Sequence, residues 1–289
     1  MKILLAVDSF HNSHVIETAV DRTWPSGALF CVMSVVDMRH WEGLPALVED
    51  AKHEAESIVG RAIEKLTKAG HRAFSEIPEG SPKVVIPDYA KQWNADLVMV
   101  GSHGENAVTR FLLGSVAQAV LHAAPCPVEI VRSNGPSHSP SEFKILLATD
   151  GSEGSTKAVS FIANRPWPAQ SQVKILSVVQ LLPADVPSLV SSMRAPVPDL
   201  IDRITKLAQS RGEQAVTDAR KVLCSTDLRV QSATPIGEPR AMILDEAKAW
   251  GANLVVLGSH GRHGLDRLLM GSVAESVAAY ADCSVEVIR

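Results

Sequence analysis

Two sets of glycines in this chain stand at the same spacing, and each set ends in a Gly-Ser pair. In each set a glycine closes an apolar run, a second glycine follows, and the Gly-Ser pair comes after a longer gap. A glycine at a strand end lets a ligand approach the backbone closely and lets the chain turn sharply. The first set is Gly101, Gly104, Gly114 and Ser115, and the second set is Gly258, Gly261, Gly271 and Ser272.

Each Gly-Ser pair is expected to open a helix. The first amides of a helix are unpaired and carry partial positive charge, so they form a binding site for anions. The serine hydroxyl adds one more donor. Glycines also serve turns and helix packing, but the same arrangement of strand end, loop and helix start occurs twice. We therefore interpret each set as a site for a ribose and a chain of phosphates.

The elements that would position these residues alternate between strands and helices. Residues 2–7, KILLAV, are a short apolar run typical of a buried strand, whereas residues 45–69 and 199–224 carry apolar residues at helical spacing. The helix after the first strand of each copy is expected to start at Ser13 or Ser155. This alternation predicts an α/β fold with a parallel sheet and helices on both faces, in which ligands bind beyond the carboxyl ends of the strands.

The chain is an internal duplication. KILLAVDS returns as KILLATDG, and residues 80–132 align with residues 237–289 without a gap and with about half of the positions identical. Residues 133–142 are rich in proline, glycine and serine, as is typical of a flexible linker. We therefore predict one domain over residues 1–132 and a second over residues 143–289.

Composition and charge exclude several classes of partner. The 289 residues are 46% hydrophobic and 21% charged, which is enough apolar material for a substantial core. Aromatic residues make up 4% and the net charge is −4, which argues against binding of nucleic acid. No apolar run reaches membrane-spanning length, and the N-terminus does not have the pattern of a secretory signal, so we expect no membrane partner and a cytoplasmic location.

The four cysteines form no Cys-x-x-Cys pair and are expected to be reduced thiols. Cys126 and Cys283 occupy matching positions in the two copies. We expect them to be small buried residues rather than redox sensors.

Each copy resembles a universal stress protein domain, and Gly-x-x-Gly-x9-Gly-Ser resembles the ATP-binding signature of that family. The resemblance implies two tandem, open, twisted parallel sheets of five strands, a cytoplasmic location, and ATP, AMP or ADP bound in each domain. A Mg²⁺ ion would be brought by the phosphates. In the ATP-binding branch an aspartate ends the first strand, a valine ends the second, and a valine follows the Gly-Ser pair. These residues are Asp8, Val35 and Val116 in the first copy, and Asp150, Val178 and Val273 in the second.

The chemistry of these residues fits the resemblance. A carboxylate at the carboxyl end of a strand can accept hydrogen bonds from an adenine amino group or a ribose, and an apolar side chain can cover the base. The alternative role for Asp8 and Asp150 is helix capping, which their positions permit. The two roles do not exclude each other.

Two classes of function are compatible with these residues. One is a nucleotide-dependent regulatory module of the stress response, and the other is an enzyme of the same fold group that hydrolyses ATP slowly or transfers adenylyl groups. His103 and His260 have no apparent partner acid and nucleophile, a P-loop is absent, and no cluster has structural-metal spacing. The sequence therefore favours the regulatory module, with no catalytic residue and no protein-held metal.

The final strands, within VEIVR at residues 128–132 and VEVIR at residues 285–289, are short and apolar. Unpaired, they would leave exposed sheet edges. We expect them to lie together about a pseudo-twofold axis, which would make the chain an intrachain pseudo-dimer. Dimerisation of the whole chain is a hypothesis by analogy with the family.

The second copy is expected to differ from the first in two ways. Residues 182–198 contain four prolines and are interpreted as a mobile flap over the second nucleotide, with a disordered surface loop as the alternative. The phosphate-facing loop begins with Arg262 in the second copy and Glu105 in the first. Because arginine is a good partner for phosphate, we expect the second site to bind ATP more tightly.

Overall fold

A computed structural model describes residues 1–8, 14–37, 45–102, 113–132, 142–180, 197–261 and 270–289. Strands and helices alternate in these ranges, as the sequence predicts. The strands are β1 (Lys2–Ala6), β2 (Leu29–Met33), β3 (Arg72–Glu76), β4 (Leu97–Gly101), β5 (Val128–Val131), β6 (Lys144–Ala148), β7 (Gln172–Leu176), β8 (Arg229–Ala233), β9 (Leu254–Gly258) and β10 (Ser284–Ile288). The helices are α1 (His14–Asp21), α2 (Pro45–Lys68), α3 (Pro82–Trp93), α4 (Ser115–Ala123), α5 (Glu153–Ala163), α6 (Val197–Leu223), α7 (Pro239–Trp250) and α8 (Ser272–Tyr280). None of these described helices is long and apolar enough to cross a bilayer.

The ten described strands form one sheet, in the order β3-β2-β1-β4-β5-β10-β9-β6-β7-β8. Neighbouring strands are parallel within the first half (residues 1–132) and within the second half (residues 143–289), whereas β5 and β10 pair antiparallel. The predicted α/β fold with parallel strands is confirmed, and the two final strands do lie together. The two expected five-stranded sheets are joined into one because each final strand covers the edge of the other.

Helices cover both faces of the sheet. β1 and β6 share the sequence KILLA, and the last four residues of each are buried, as expected of a strand covered on both faces. Leu4 and Leu146 belong to one hydrophobic cluster that extends across both halves. Ile3 and Ile145 each belong to a cluster confined to their own half. The two halves therefore share a core on one face of the sheet and keep separate cores on the other.

Two glutamates face each other in the pairing of β5 with β10. Glu129 and Glu286 are register partners, and both side chains have 0% exposure. Arg22, just after α1, pairs with Glu129, and Arg165, just after α5, donates to both oxygens of Glu286 at 3.1 and 3.3 Å. Burial raises the pKa of Glu286 to about 7, and the neighbouring guanidinium of Arg165 opposes that rise. We call these four residues the seam cluster.

Each half also caps the last helix of the other half. Arg132 Nη2 donates to the carbonyl oxygens of Ala278 and Ala279 at the end of α8, at 2.7 and 2.8 Å. Arg289 Nη2 donates to the carbonyl oxygen of Leu121 at the end of α4. A cation at a helix C-terminus complements the helix dipole. The contacts between the halves are therefore reciprocal.

Cys126 and Cys283 are buried near these final strands. Burial raises the pKa of both thiols to about 11. A thiol with a raised pKa holds little thiolate at neutral pH and is a poor nucleophile. The prediction that they are small buried residues is confirmed.

Candidate functional site

A cavity of about 770 Å³ lies at the carboxyl ends of β6, β7 and β9 in the second half. In the sheet, β6 has β7 on one side and β9 on the other, so the strand order switches direction there. Ligands of open α/β sheets bind at such a switch point. The residues that the sequence predicts for this half all line the cavity: Asp150, Val178, Gly258, Gly261, Gly271, Ser272 and Val273.

Gly258, the last residue of β9, makes room for helix α5. A Cβ atom on Gly258 would lie 2.5 Å from the carbonyl carbon of Gly154, and a Cβ atom on Gly154 would lie 2.8 Å from the carbonyl oxygen of His260. The two glycines let the first turn of α5 approach the end of β9 closely. The alternative role of these glycines in helix packing, which the sequence also allowed beside ligand approach and a sharp turn, is therefore present at Gly258.

The carboxylate of Asp150 lies on the cavity wall beside Gly261. A Cβ atom on Gly261 would lie 2.9 Å from Asp150 Oδ2, and Oδ1 accepts a hydrogen bond from the Ser152 amide at 3.0 Å. The hydroxyl of Ser152 caps α5 by accepting from the Ser155 amide at 3.3 Å. The helix therefore begins at Glu153 rather than at the expected Ser155, and its cap is not the aspartate.

The N-terminus of α8 opens on the cavity without a side-chain cap. Gly271 is the N-cap residue, and its amide donates to the carbonyl oxygen of Ser259 at 2.8 Å, which closes the base of the loop between β9 and α8. Ser272, Val273 and Ala274 form the first turn and line the cavity. Because first-turn amides have no partner within a helix, this turn can receive an anion.

Ser259 and His260 complete this part of the wall. Ser259 Oγ lies 2.9 Å from His260 Nδ1, and His260 Nε2 is buried with no hydrogen-bond partner among the described residues. Within the described ranges, therefore, no carboxylate orients the imidazole as a Ser-His-Asp arrangement requires. The same ranges hold no group of three His, Cys, Asp or Glu side chains that could bind a metal ion.

Helix α6 forms a side of the cavity that the sequence analysis missed. Ala208, Arg211 and Gly212 line it, three and four residues apart on one helical face. Gly212 could have indicated this role from the sequence. A glycine in a helix interior lowers the stability of the helix by about 1 kcal/mol relative to alanine, so its presence indicates close packing. A Cβ atom there would lie 3.1 Å from Val179 Cγ2.

In the first half, the predicted residues lie at corresponding strand ends. Asp8 follows β1, Val35 follows β2 and packs against the shared core, and Gly101 ends β4. Since β1 pairs with both β2 and β4, these three strand ends are adjacent. The first half thus repeats the strand framework of the cavity.

Helix α4 repeats the geometry of α8. Gly114 is its N-cap residue, with no side-chain cap, and the Gly114 amide donates to the Ser102 carbonyl oxygen at 2.8 Å. Ser115 and Val116 follow in the first turn. The helix start predicted at each Gly-Ser pair, with no side-chain cap, is therefore present in both halves.

Several predicted features lie outside the described residues. They are Ser13, Gly104, His103, the charged residues of the two phosphate-facing loops, linker residues 133–141 and residues 182–196 of the proposed flap. Residues 197 and 198 begin α6.

Comparison with known proteins identifies the fold and the repeat. The profile of the universal stress protein family matches residues 1–132 and 143–289. A Staphylococcus aureus (strain USA300) protein that carries the universal stress protein name is 34% identical over 154 residues, covering 51% of this chain and 91% of that protein. The crystal structure of a universal stress protein from Archaeoglobus fulgidus covers 100% of this chain and 98% of its own, with a TM-score of 0.69 and 20% identity. A Pseudomonas aeruginosa PAO1 protein described as functionally unknown covers 99% of this chain and 92% of its own, with a TM-score of 0.63 and 15% identity.

Proposed function

Because this chain belongs to the universal stress protein family, with two tandem copies of the family domain, we propose that it is an ATP-binding regulatory module with one adenine-nucleotide site per half. The observation that carries the proposal is the first turn of α8, which opens without a side-chain cap on a cavity of about 770 Å³. That volume falls in the range of about 300–1,000 Å³ typical of small-molecule sites.

The residues of the second-half cavity fit an adenine nucleotide. The first-turn amides of α8 and the Ser272 hydroxyl would receive phosphates. The Asp150 carboxylate would accept hydrogen bonds from the adenine amino group or the ribose, and Val178 would cover the base. The narrow space beside Gly261, which a Cβ atom would fill, suits close approach of the ligand to the backbone.

Bound ATP would bring Mg²⁺ with it. The ion neutralises phosphate charge and takes oxygen ligands from the phosphates and from water. The described residues offer donors for phosphate oxygens and no acidic cluster for a cation. The role of this chain would therefore be to hold and orient the nucleotide.

In the first half, Asp8, Val35, Gly101, Gly114 and Ser115 would act as their counterparts do. The repeated strand ends and the repeated bond from the Gly114 amide to Ser102 support this assignment. Two nucleotides per chain follow from it. The effect of the nucleotide would be on shape or on partner binding, and dimerisation of the whole chain and a cytoplasmic location remain part of the proposal.

The direct test is to identify what the purified chain carries. We expect adenine nucleotide in the supernatant after denaturation, and about two ATP bound per chain in calorimetry. The double variant Gly114→Val/Gly271→Val should lose binding, because a side chain at each N-cap would crowd the phosphate site. Gly60→Val is the matched control, since a Cβ atom at Gly60 meets nothing within 4 Å.

The outcomes separate the candidate functions. Absence of adenine-nucleotide binding in the wild-type chain would refute the proposal. Prolonged incubation with ATP distinguishes a regulatory module from an enzyme. A slow hydrolase would release phosphate, and an adenylyl transferase would release pyrophosphate. Either release, lost in the double variant and retained in Gly60→Val, would establish an enzyme instead of a regulatory module.

A further inference from the structure

Helix α6 is pressed against the end of β7 at the second-half cavity. A Cβ atom on Gly212 would lie 3.1 Å from Val179 Cγ2 and 3.5 Å from Ser177 Oγ. This close packing brings the preceding residue, Arg211, onto the cavity wall. The α8 amides border the cavity beyond β9, so α6 and α8 approach it from opposite sides of β6.

Arg211 is the one lysine or arginine among the described residues that line this cavity, and Asp150 is the one carboxylate. The arginine is exposed, and no described residue forms an ion pair or hydrogen bond with its side chain. A guanidinium stays charged at any physiological pH and binds phosphate through paired donors. Arg211 therefore presents an unpaired positive charge to whatever occupies the cavity.

The matching position in the first half carries the opposite charge. The gapless alignment of the two copies, extended back over α2 and α6, places the buried Leu66 opposite the buried Leu223 and Ala62 opposite Ala219. In this register Glu54 stands where the second half has Arg211.

A second position at the same side of the site differs in the same sense. Asp37 follows the shared Ser-Val-Val segment in the first half, whereas Gln180 follows it in the second. Lys52, two residues before Glu54 on α2, is paired with Glu79 at 2.8 Å. The side of the site formed by α2 is therefore more acidic than the side formed by α6.

We propose that the Arg211 guanidinium reaches across the second-half cavity to the phosphate chain of the bound nucleotide and makes that site select ligands by their phosphate charge. The order of affinity in the second half would be ATP, then ADP, then AMP, then adenosine. The first half would bind the same series with a weaker dependence on charge, because Glu54 repels the phosphates. This inference rests on the proposed nucleotide sites.

The test compares Arg211→Gln with the wild-type chain, using a photoreactive azido-adenine series with three, two, one or no phosphates. Peptide mapping after labelling then measures the amount of label in each half separately. Arg211→Gln should weaken labelling of the second half by the triphosphate about five-fold, the size expected of one exposed charge contact, and leave labelling by the nucleoside unchanged. Arg203→Gln is the matched control, since Arg203 is exposed on the same helix and does not line the cavity.

The reciprocal variant in the first half is Glu54→Gln, which should strengthen triphosphate labelling there. Equal losses for triphosphate and nucleoside in Arg211→Gln would overturn the inference, because they would indicate a packing role. Unchanged triphosphate labelling in that variant would also overturn it while leaving the proposed function intact. Failure of the wild-type chain to bind any member of the series would instead refute the proposed function.

Discussion

The two halves of this chain agree closely where they touch each other and at the Gly-Ser helix starts, and they differ where α2 or α6 borders the ligand site. At the seam, Arg22 and Glu129 of the first half repeat as Arg165 and Glu286 of the second. At the site, Glu54 of the first half is replaced by Arg211 of the second.

The contrast has a physical reason. A seam residue packs against the other half as well as against its own, so a change at one position disturbs buried contacts in both halves. Arg165 illustrates this, because its guanidinium carbon lies 4.4 Å from the ring centre of Trp24, a residue of the first half. Arg211 contacts no described partner outside its own half, so its charge can change without cost to the seam.

The seam cluster should give the largest effect. Arg165→Met would leave the carboxylate of Glu286 buried without its partner, and we expect a loss of about 3–5 kcal/mol in the free energy of unfolding. Urea denaturation measures it. The double variant Arg165→Met/Glu286→Gln should recover much of the loss because it removes the buried charge. The exposed Arg203→Met serves as the control, and a loss below about 1 kcal/mol for Arg165→Met would show that the seam does not depend on this pair.

The pH dependence of stability should identify Glu286 as the group responsible. Its pKa rises from 4.5 to about 7 on folding because burial disfavours the charged form, with Arg165, Arg22 and Glu129 as the charged neighbours. A raised folded-state pKa contributes stability that is fully present below about pH 4.5 and is lost as the pH rises through 7. We expect the wild-type chain to lose on the order of 2 kcal/mol more than Glu286→Gln between pH 5 and 8.

Denaturation midpoints at matched pH values provide the measurement. Glu213→Gln is the control, because Glu213 is exposed on α6 and lies far from the seam in sequence. If the free energy of unfolding changes with pH in the same way for the wild-type chain and Glu286→Gln, the buried glutamate keeps its charge between pH 5 and 8 and the prediction is wrong.

Much of the fold could be predicted from the sequence. The apolar KILLA segments and the repeated spacing of Gly-Ser pairs define buried strands and helix starts by local chemistry alone, and the structure places the described second-half residues around one cavity. The ion pairs of the seam could not be predicted, because Arg22 and Glu129 are far apart in sequence and only the pairing of β5 with β10 buries them together. Arg211 was missed for a related reason, since the tight packing of Gly212 decides which face of α6 borders the cavity.

The packing of α5 on β9 should give a smaller effect. Gly154→Asn places a side chain where the first turn of α5 meets the end of β9. Its Cβ atom would lie 2.8 Å from the His260 carbonyl oxygen, so the backbone must shift, and we expect a loss of about 2 kcal/mol in the free energy of unfolding. Gly60→Asn, in open space on α2, should change stability by less than about 0.5 kcal/mol. Equal effects of the two variants would show that the contact between α5 and β9 accommodates a side chain.

The smallest effect concerns the ranking of the two sites for ATP. Gly114→Val leaves only the second site and Gly271→Val leaves only the first, so calorimetry on these variants compares the halves directly. In sequence, the loop after β4 has Glu105 where the loop after β9 has Arg262, and arginine is a good partner for phosphate. Together with the charge of Arg211, this favours ATP in the second site by about 1 kcal/mol. The ranking is wrong if the Gly271→Val chain binds ATP as tightly as the Gly114→Val chain or more tightly. The comparison requires that both variants unfold at the same temperature as the wild-type chain.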